Sequence, residues 1–393
     1  MPAVLRFRTA LLAACSITLA FWLAYALHVE RPYWAGVAAM VLSQSAEGQS
    51  LQKGLWRMAA TVVGAAAGMA VLAHFGESRA ALLAAFGGLL AVLVMLMRGS
   101  AYSYFYYSTA LMAVLVGAQS HEEAPFAIAS ARIAENLVGI AAYTLCALCL
   151  RPQAASREIG ELPGFGRGVL DELRDSLVPA VLLDKLRAGL QALAALALVT
   201  AVWQWLYPPG TAGSLFAEIG ALLVLLGFLT GGFDPRLLLA SFAAGVGAAL
   251  ALYVLVMPAL SGFAELGAVI FAFSFGMAWV LPRPEQGMAR MGLLLPVFVL
   301  SGMGGEHFTP QGLLSGAAGL MSAAFTVSAV FMLAGAGGGH TPAFPGGETD
   351  SSGLGAGAEG TGSASVPLAF VAGVSVAEGD APASTPKEAT HAA

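Results

Sequence analysis

The chain reads as an all-α polytopic membrane protein of about 12 transmembrane helices, arranged as two parallel six-helix repeats with both termini cytoplasmic. Three observations predict it. Of 393 residues, 58% are hydrophobic and only 10% charged, against roughly 25% charged in a soluble domain. The apolar residues fall in runs long enough to cross roughly 30 Å of hydrocarbon. The few Lys and Arg residues alternate in side as the spans are counted, as cytoplasmic enrichment of basic residues requires.

The opening span is predicted at about 9 to 27. Arg6 and Arg8, the apolar run behind them and Ala24-Tyr25-Ala26 imitate a cleaved signal, but the run continues to Leu27 and further spans follow, so it reads as an uncleaved first helix. A short second span, 32 to 43, opens on Pro32, Tyr33 and Trp34 and closes on Ser43, Gln44 and Ser45. Spans at about 56 to 74, 80 to 97, 101 to 117 and 131 to 150 complete the first half. The second half is predicted at about 187 to 206, 211 to 229, 237 to 257, 262 to 281, 291 to 303 and 310 to 333.

With the N-terminus inside, fifteen basic residues fall on the cytoplasmic side, and only Arg31, Arg79 and Arg132 fall on the other. The halves also echo one another. Arg8 and Arg187 stand at matching places before the first span of each, and the third spans carry V-V-G-A-A-A-G-M at 62 to 69 and A-A-G-V-G-A-A-L at 243 to 250. Six spans per half is an even number, so the repeats would be parallel, related by an axis along the membrane normal.

The domains are then 1–152, the first repeat; 153–185, a cytoplasmic amphipathic linker; 186–335, the second repeat; and 336–393, a disordered Gly/Ala/Ser-rich tail too poor in apolar residues to offset its ordering entropy. The formal net charge of -5 resides in that tail, which sets Lys387 against six acids. No basic excess remains for phosphates, so no nucleic-acid partner is expected.

Chemistry-bearing patterns are sparse. Phosphate-loop, H-E-x-x-H and Ser/His/Asp signatures are missing, so the chain is not expected to be an enzyme and no cofactor is implied. Cys146 and Cys149 lack a second pair, and His121 and His307 read as solvated loop residues, so no metal site is expected. Gly64, Gly68 and Gly247 are candidate helix-packing positions, since small residues four apart let helices approach closely. A moving gate between the halves is the alternative.

Ionisable side chains inside an apolar slab face protein or a water-filled path. Glu218, about seven residues into its span with no charged neighbour in sequence, is a candidate proton-binding group; the alternative is a Glu shallow enough to reach headgroup water. Arg132 and Glu135, at i and i+3, are a candidate ion pair. Arg57 would hold an anionic substrate or anchor its helix at the headgroups. The interrupted second span and its counterpart around Glu218 mark a candidate binding site, with Tyr33, Trp34 and Gln44 on it. Tyr102, Tyr104, Phe105, Tyr106 and Tyr107 read as an interfacial aromatic belt, or as a stacking surface.

The segment R-P-Y-W-A-G-V-A-A-M-V-L-S-Q-S-A-E-G-Q-S-L-Q-K-G-L-W-R-M-A-A-T-V-V-G-A-A-A-G, residues 31 to 68, resembles the fusaric acid resistance family of aromatic acid exporters. Tyr33, Trp34, Arg57, Thr61, Gly64 and Gly68 occupy the positions that carry the likeness. Residues 132 to 152 look like that family's closing span of the first half, and F-D-P-R-L-L-L-A-S-F-A-A-G-V-G is similar to its second repeat. The resemblance implies a bacterial inner-membrane exporter of aromatic carboxylic acids or related toxic organic anions, driven by the proton gradient and paired with a periplasmic membrane-fusion subunit. Long cytoplasmic domains of larger members have no counterpart here. A passive organic-anion channel and a non-transporting scaffold for envelope assembly are the alternative functions, and a homo-oligomer stays open.

Overall fold

The computed structural model describes residues 3–43, 50–119, 124–152, 179–207, 214–230, 233–283, 286–302 and 310–336. Gln44, both loop histidines, most of the linker and nearly all of the tail lie outside these residues. The first half builds α1 (Ala3–Ala26), α2 (Pro32–Ser43), α3 (Ser50–Phe75), α4 (Arg79–Met97), α5 (Ser103–Gln119) and α6 (Pro125–Leu150). The second builds α7 (Pro179–Leu206), α8 (Ser214–Thr230), α9 (Pro235–Ala251), α10 (Phe263–Val280), α11 (Gly287–Gly302) and α12 (Pro310–Ala336).

Eight of these helices are long and apolar enough to cross a membrane, whereas α2, α8 and α11 are shorter apolar helices and α5 has 17 residues rich in Tyr and Ser. Local chemistry sets several ends. Ser78 caps α4 by accepting from the Ala81 amide. Asp234 caps α9 through the Arg236 amide at 2.9 Å, with Pro235 in the first helical position, where its missing N–H costs no bond. At its far end α9 passes into a π-turn, Leu252–Val256, and a 3-10 turn, Met257–Ala259, around Pro258, which cannot donate to the helical ladder.

Within the first half, α1 packs on α2 and α6, α2 on α6, α3 on α5 and α6, and α4 on α5. The second half uses the same partners six helices on: α7 with α8 and α12, α8 with α12, α9 with α11 and α12, and α10 with α11. The main contacts between the halves are exchanged pairs, α1 with α10 against α4 with α7, and α2 with α11 against α5 with α8, and α4 also touches α8. Apolar side chains cover much of the outer surface, including Val62, Leu190, Val254 and Trp205, as a lipid solvent permits.

Glycine explains the closest approach. A Cβ on Gly64 would strike the Thr109 carbonyl oxygen and come within 2.8 Å of Met112 Cβ, and one on Gly68 would lie 3.0 Å from the Ala113 oxygen. Both therefore seat α3 against α5 inside the first half, so this stripe is not a gate between halves. Gly247 does not pack: nothing lies within 4 Å of its added Cβ. Gly245 takes that role, with the Gly292 carbonyl, the Leu293 oxygen at 2.9 Å and Pro296 Cγ at 3.0 Å around it. Two residues along a helix is a rotation of about 200°, so the Ala243/Gly247 stripe faces outwards while Gly245 faces α11.

The aromatic run on α5 differs from the expected belt. Phe105, Tyr106 and Tyr107 are buried in the core, and Trp56 packs edge-on against Tyr102 at 4.9 Å. Their apolar bodies fill the seam between α3 and α5.

Gly245→Ala is expected to destabilise the protein by roughly 1–3 kcal/mol through overpacking against fixed backbone. Gly247→Ala should be neutral or stabilising by up to about 1 kcal/mol, because Ala is the better helix former. Thermal unfolding in detergent measures both, and equal shifts would refute the assignment of faces.

Candidate functional site

Where α2, α6 and α8 meet, the chain buries charge. Arg132, one of the largest fully buried side chains, projects from α6, and its Nη1 donates to Glu135 Oε2 at 2.8 Å. The i, i+3 spacing puts both on one face of the helix. The Arg132 guanidinium lies 4.7 Å from the centre of the Trp34 ring, whose electron-rich face favours a cation. Tyr33 and Trp34 are both buried at the start of α2, with ring centroids 5.6 Å apart.

Glu218 enters from the second half. It is 1% exposed, so protein rather than solvent surrounds it. Its sequence neighbours are uncharged, but the fold surrounds it with donors. Gln119 Nε2 donates to its Oε1, Arg31 Nη1 is 3.7 Å from Oε1, and Arg132 Nη2 is 3.9 Å from Oε2. The last two are ion contacts longer than hydrogen bonds. Both α2 and α8 open at this end of the bundle, so Arg31 just before α2 and Glu218 near the start of α8 reach the same layer.

A second layer continues the chain of polar groups. Asn136, one turn beyond Arg132, donates to the Arg132 carbonyl at 3.0 Å and to Thr61 Oγ1 at 3.2 Å. Its Oδ1 accepts from Arg57 Nε at 2.7 Å, and Arg57 Nη1 donates to the Tyr104 hydroxyl at 3.2 Å. Lys53 Nζ stands 6.0 Å from the Tyr104 ring centre. Arg57 is thus buried and engaged inside the protein rather than directed to headgroups. From Lys53 to Arg31, polar side chains of α3, α5, α6 and α8 form one column through an otherwise apolar bundle.

Among the described residues the column sets Arg31, Arg57 and Arg132 with Glu135 and Glu218. Burying charge is costly unless it is paired and hydrogen-bonded, so such a column adds little to stability and marks a candidate functional site. At its centre a cavity lined by Trp34, Arg57, Thr61, Arg132, Glu135 and Asn136 offers about 10 Å³, enough for about one water molecule. An organic acid does not fit there without movement of the helices. Among the described residues no cluster of three His, Cys, Asp or Glu side chains is placed to hold a metal, and Cys15, Cys146 and Cys149 are free thiols.

Of the residues singled out in the sequence, the structure brings Trp34, Arg57, Arg132, Glu135 and Glu218 together, with Tyr33 beside them. Sequence reasoning missed Arg31, Gln119 and Asn136. Asn136 had a signal: it lies four residues after Arg132 and one after Glu135, making three polar side chains on one stripe of an apolar helix. Arg31 and Gln119 sit at helix ends, where polar residues are ordinary, and nothing in sequence set them apart.

The model of the fusaric acid resistance protein family matches residues 6–162, from α1 to just beyond α6, and contains both first-half segments that carried the resemblance. No curated protein and no solved structure matches the chain.

Replacing Arg132 with Met should cost about 3–5 kcal/mol, because it leaves Glu135 buried without its cation. Adding Glu135→Leu to that variant should recover a large part of the loss. Denaturation of the detergent-solubilised protein reads both, and additive losses would contradict the pairing.

Proposed function

With residues 6–162 matching the fusaric acid resistance protein family as premise, we propose that the chain is a secondary exporter moving ring-bearing carboxylic acids or related organic anions out across the bacterial inner membrane, driven by the proton gradient. The observation that carries this reading is the buried column from Lys53 to Arg31, in which Glu218 of the second half meets Arg31 and Arg132 of the first. A non-transporting scaffold has no use for ionised groups held at that cost in an apolar bundle.

The recurrence of the same helix pairs six helices apart, with exchanged contacts between the halves, supports two parallel six-span repeats. In this reading all twelve helices cross, the basic flanks put both termini in the cytoplasm, and rocking of one half against the other gives alternating access. Exchanged contacts of this kind permit motion about a shared axis without unpacking either half.

In the proposed mechanism Arg57 and Lys53 draw the anion towards the column from the cytoplasmic side. While ionised, Glu218 ties α8 to Arg31 and Arg132 and keeps the interface closed. Proton arrival from the acidic side removes the Glu218 half of both ion contacts, so the halves part towards that side and the anion leaves. Loss of the proton to the other side restores the contacts. The water-sized central cavity supports a gated path over a permanently open channel, which needs a continuous wet passage. A periplasmic membrane-fusion subunit belongs to the same proposal, as the partner that would carry the exported acid onward.

Glu218→Gln should abolish gradient-dependent efflux of radiolabelled aromatic acids from proteoliposomes while leaving protein abundance unchanged. Full transport by that variant would remove Glu218 from the mechanism, and flux that persists without a gradient in the unmodified protein would favour the channel.

A further inference from the structure

The seam between α4 and α7 closes over only half its length. From the Arg98 end it is tight. Arg98 Nε donates to Asp184 Oδ2 at 3.2 Å, a Cβ added to Gly189 would lie 3.0 Å from the Ala91 carbonyl oxygen, and one on Gly87 would lie 2.8 Å from Leu193 Cδ1. From Gly87 towards Arg79 the helices part, leaving a crevice of about 410 Å³ floored by α5 and α8. Leu83 and Leu193 line it and are exposed, so it opens sideways towards lipid.

The crevice is one leaflet deep. Its α4 wall runs from Arg79 to Leu90, roughly 16 Å at about 1.5 Å per residue. Helix α4 as a whole has 19 residues and is among those able to cross a membrane by length and composition. It extends roughly 28 Å, close to the roughly 30 Å of hydrocarbon in a bilayer. Arg79 thus falls at one edge of the hydrocarbon and Leu90 near its middle. Polarity follows the same gradient: Arg79, Thr200 and Gln204 line the edge, and Phe86, Leu90 and Leu196 line the depth.

The related seam has no such opening. Rings join α1 to α10 at both ends, Phe7 to Phe275 at 5.7 Å at one, and Tyr25 and Trp22 to Phe263 at 4.7 and 5.8 Å at the other. When Arg8 is aligned on Arg187, Trp22 falls on Ala201 and Tyr25 on Gln204, both of which line the crevice. A small and a polar residue stand where the sister seam is plugged by aromatic ones, so the opening is a property of this sequence rather than of the helix packing.

We propose that the crevice holds one acyl chain of a phospholipid from the leaflet on the Arg79 side, with its phosphate at Arg79 and its chain end against Leu90 and Leu193. A cation at the hydrocarbon edge attracts a lipid phosphate, and an apolar slot reaching to mid-bilayer takes a chain of leaflet length. A one- or two-ring acid held at Arg79 would leave Leu90 and Leu196 uncovered. Because α4 and α5 come from the first half and α7 and α8 from the second, the chain is packed between the halves. The inference needs only the membrane setting and stands apart from the transport reading.

The test uses the full-length protein in nanodiscs doped with phosphatidylglycerol that carries a diazirine either near the carboxyl end or at the tip of one acyl chain. After transfer to detergent and gel filtration, irradiation and peptide mapping read what stays bound. Near-carboxyl label is expected around Arg79 and Gln204 and chain-tip label around Leu90 and Leu193, each about tenfold or more above label at the exposed Leu190 and Val254. Ala197→Phe and Ala201→Phe each fill the crevice from exposed positions that line it and should cut crevice label about tenfold. Arg79→Gln should cut it about fivefold. Thermal unfolding checks that each variant folds, and if one Phe variant fails the other decides. Label spread evenly over lipid-facing positions, reversed in depth, or indifferent to these substitutions overturns the proposal. So does its displacement by palmitate or 2-naphthoate, which would make the occupant a free acid.

Discussion

The guanidinium of Arg132 is the constraint around which the interior is arranged. A permanently charged group buried in an apolar bundle must be met on every side, and each contact recruits a different helix. Glu135 supplies a carboxylate from the same helix, Trp34 an aromatic face from α2, and Glu218 a more distant carboxylate from α8. The backbone carbonyl of Arg132 receives Asn136, which in turn holds Arg57 and so fixes α3. Four helices from two halves are thereby held in register by a network of ion contacts and hydrogen bonds, although Arg132 Nε and Nη2 and Glu135 Oε1 keep no hydrogen-bond partner among the described residues, while apolar packing elsewhere supplies contact area without specifying position.

Much of the helical pattern was legible in the sequence, because in lipid every backbone polar group must be satisfied within its own helix, and the apolar runs mark where this happens. Length was less legible. The described helices reach beyond several predicted apolar edges, as in α1, α3 and α7, since helix geometry continues through polar flanks that a hydropathy reading excludes. Facing was legible only in part. Gly64 and Gly68 did mark a close approach, but the equivalent stripe in α9 was displaced by two residues, because G-V-G offers two glycines and only tertiary contact selects the inward one.

The site divided in the same manner. Individual costly residues, Arg132, Glu135 and Glu218, stood out against apolar surroundings. Their association across 83 to 86 positions did not, because a hydrophobic pattern carries no record of which partner helix a side chain will meet. Glu218 looked isolated in sequence and is enclosed by donors in space. The Tyr residues of α5 show the opposite error: aromatic residues near a helix end suit an interface or a core equally, and the seam with α3 decides.

The shortness of α2 has an electrical consequence. Twelve residues of helix extend roughly 18 Å, well below the roughly 30 Å of hydrocarbon in a bilayer. In the proposed twelve-span transporter, water reaching the ends of so short a helix would thin the low-dielectric layer around it. The transmembrane voltage, worth about 2.3 kcal/mol per elementary charge per 100 mV, then drops over a smaller distance. A proton or an anion displaced by only a few ångströms beside Trp34 and Arg132 would cross a disproportionate share of that voltage, so small rearrangements at this layer would do electrical work that elsewhere in the bundle would need a full traverse.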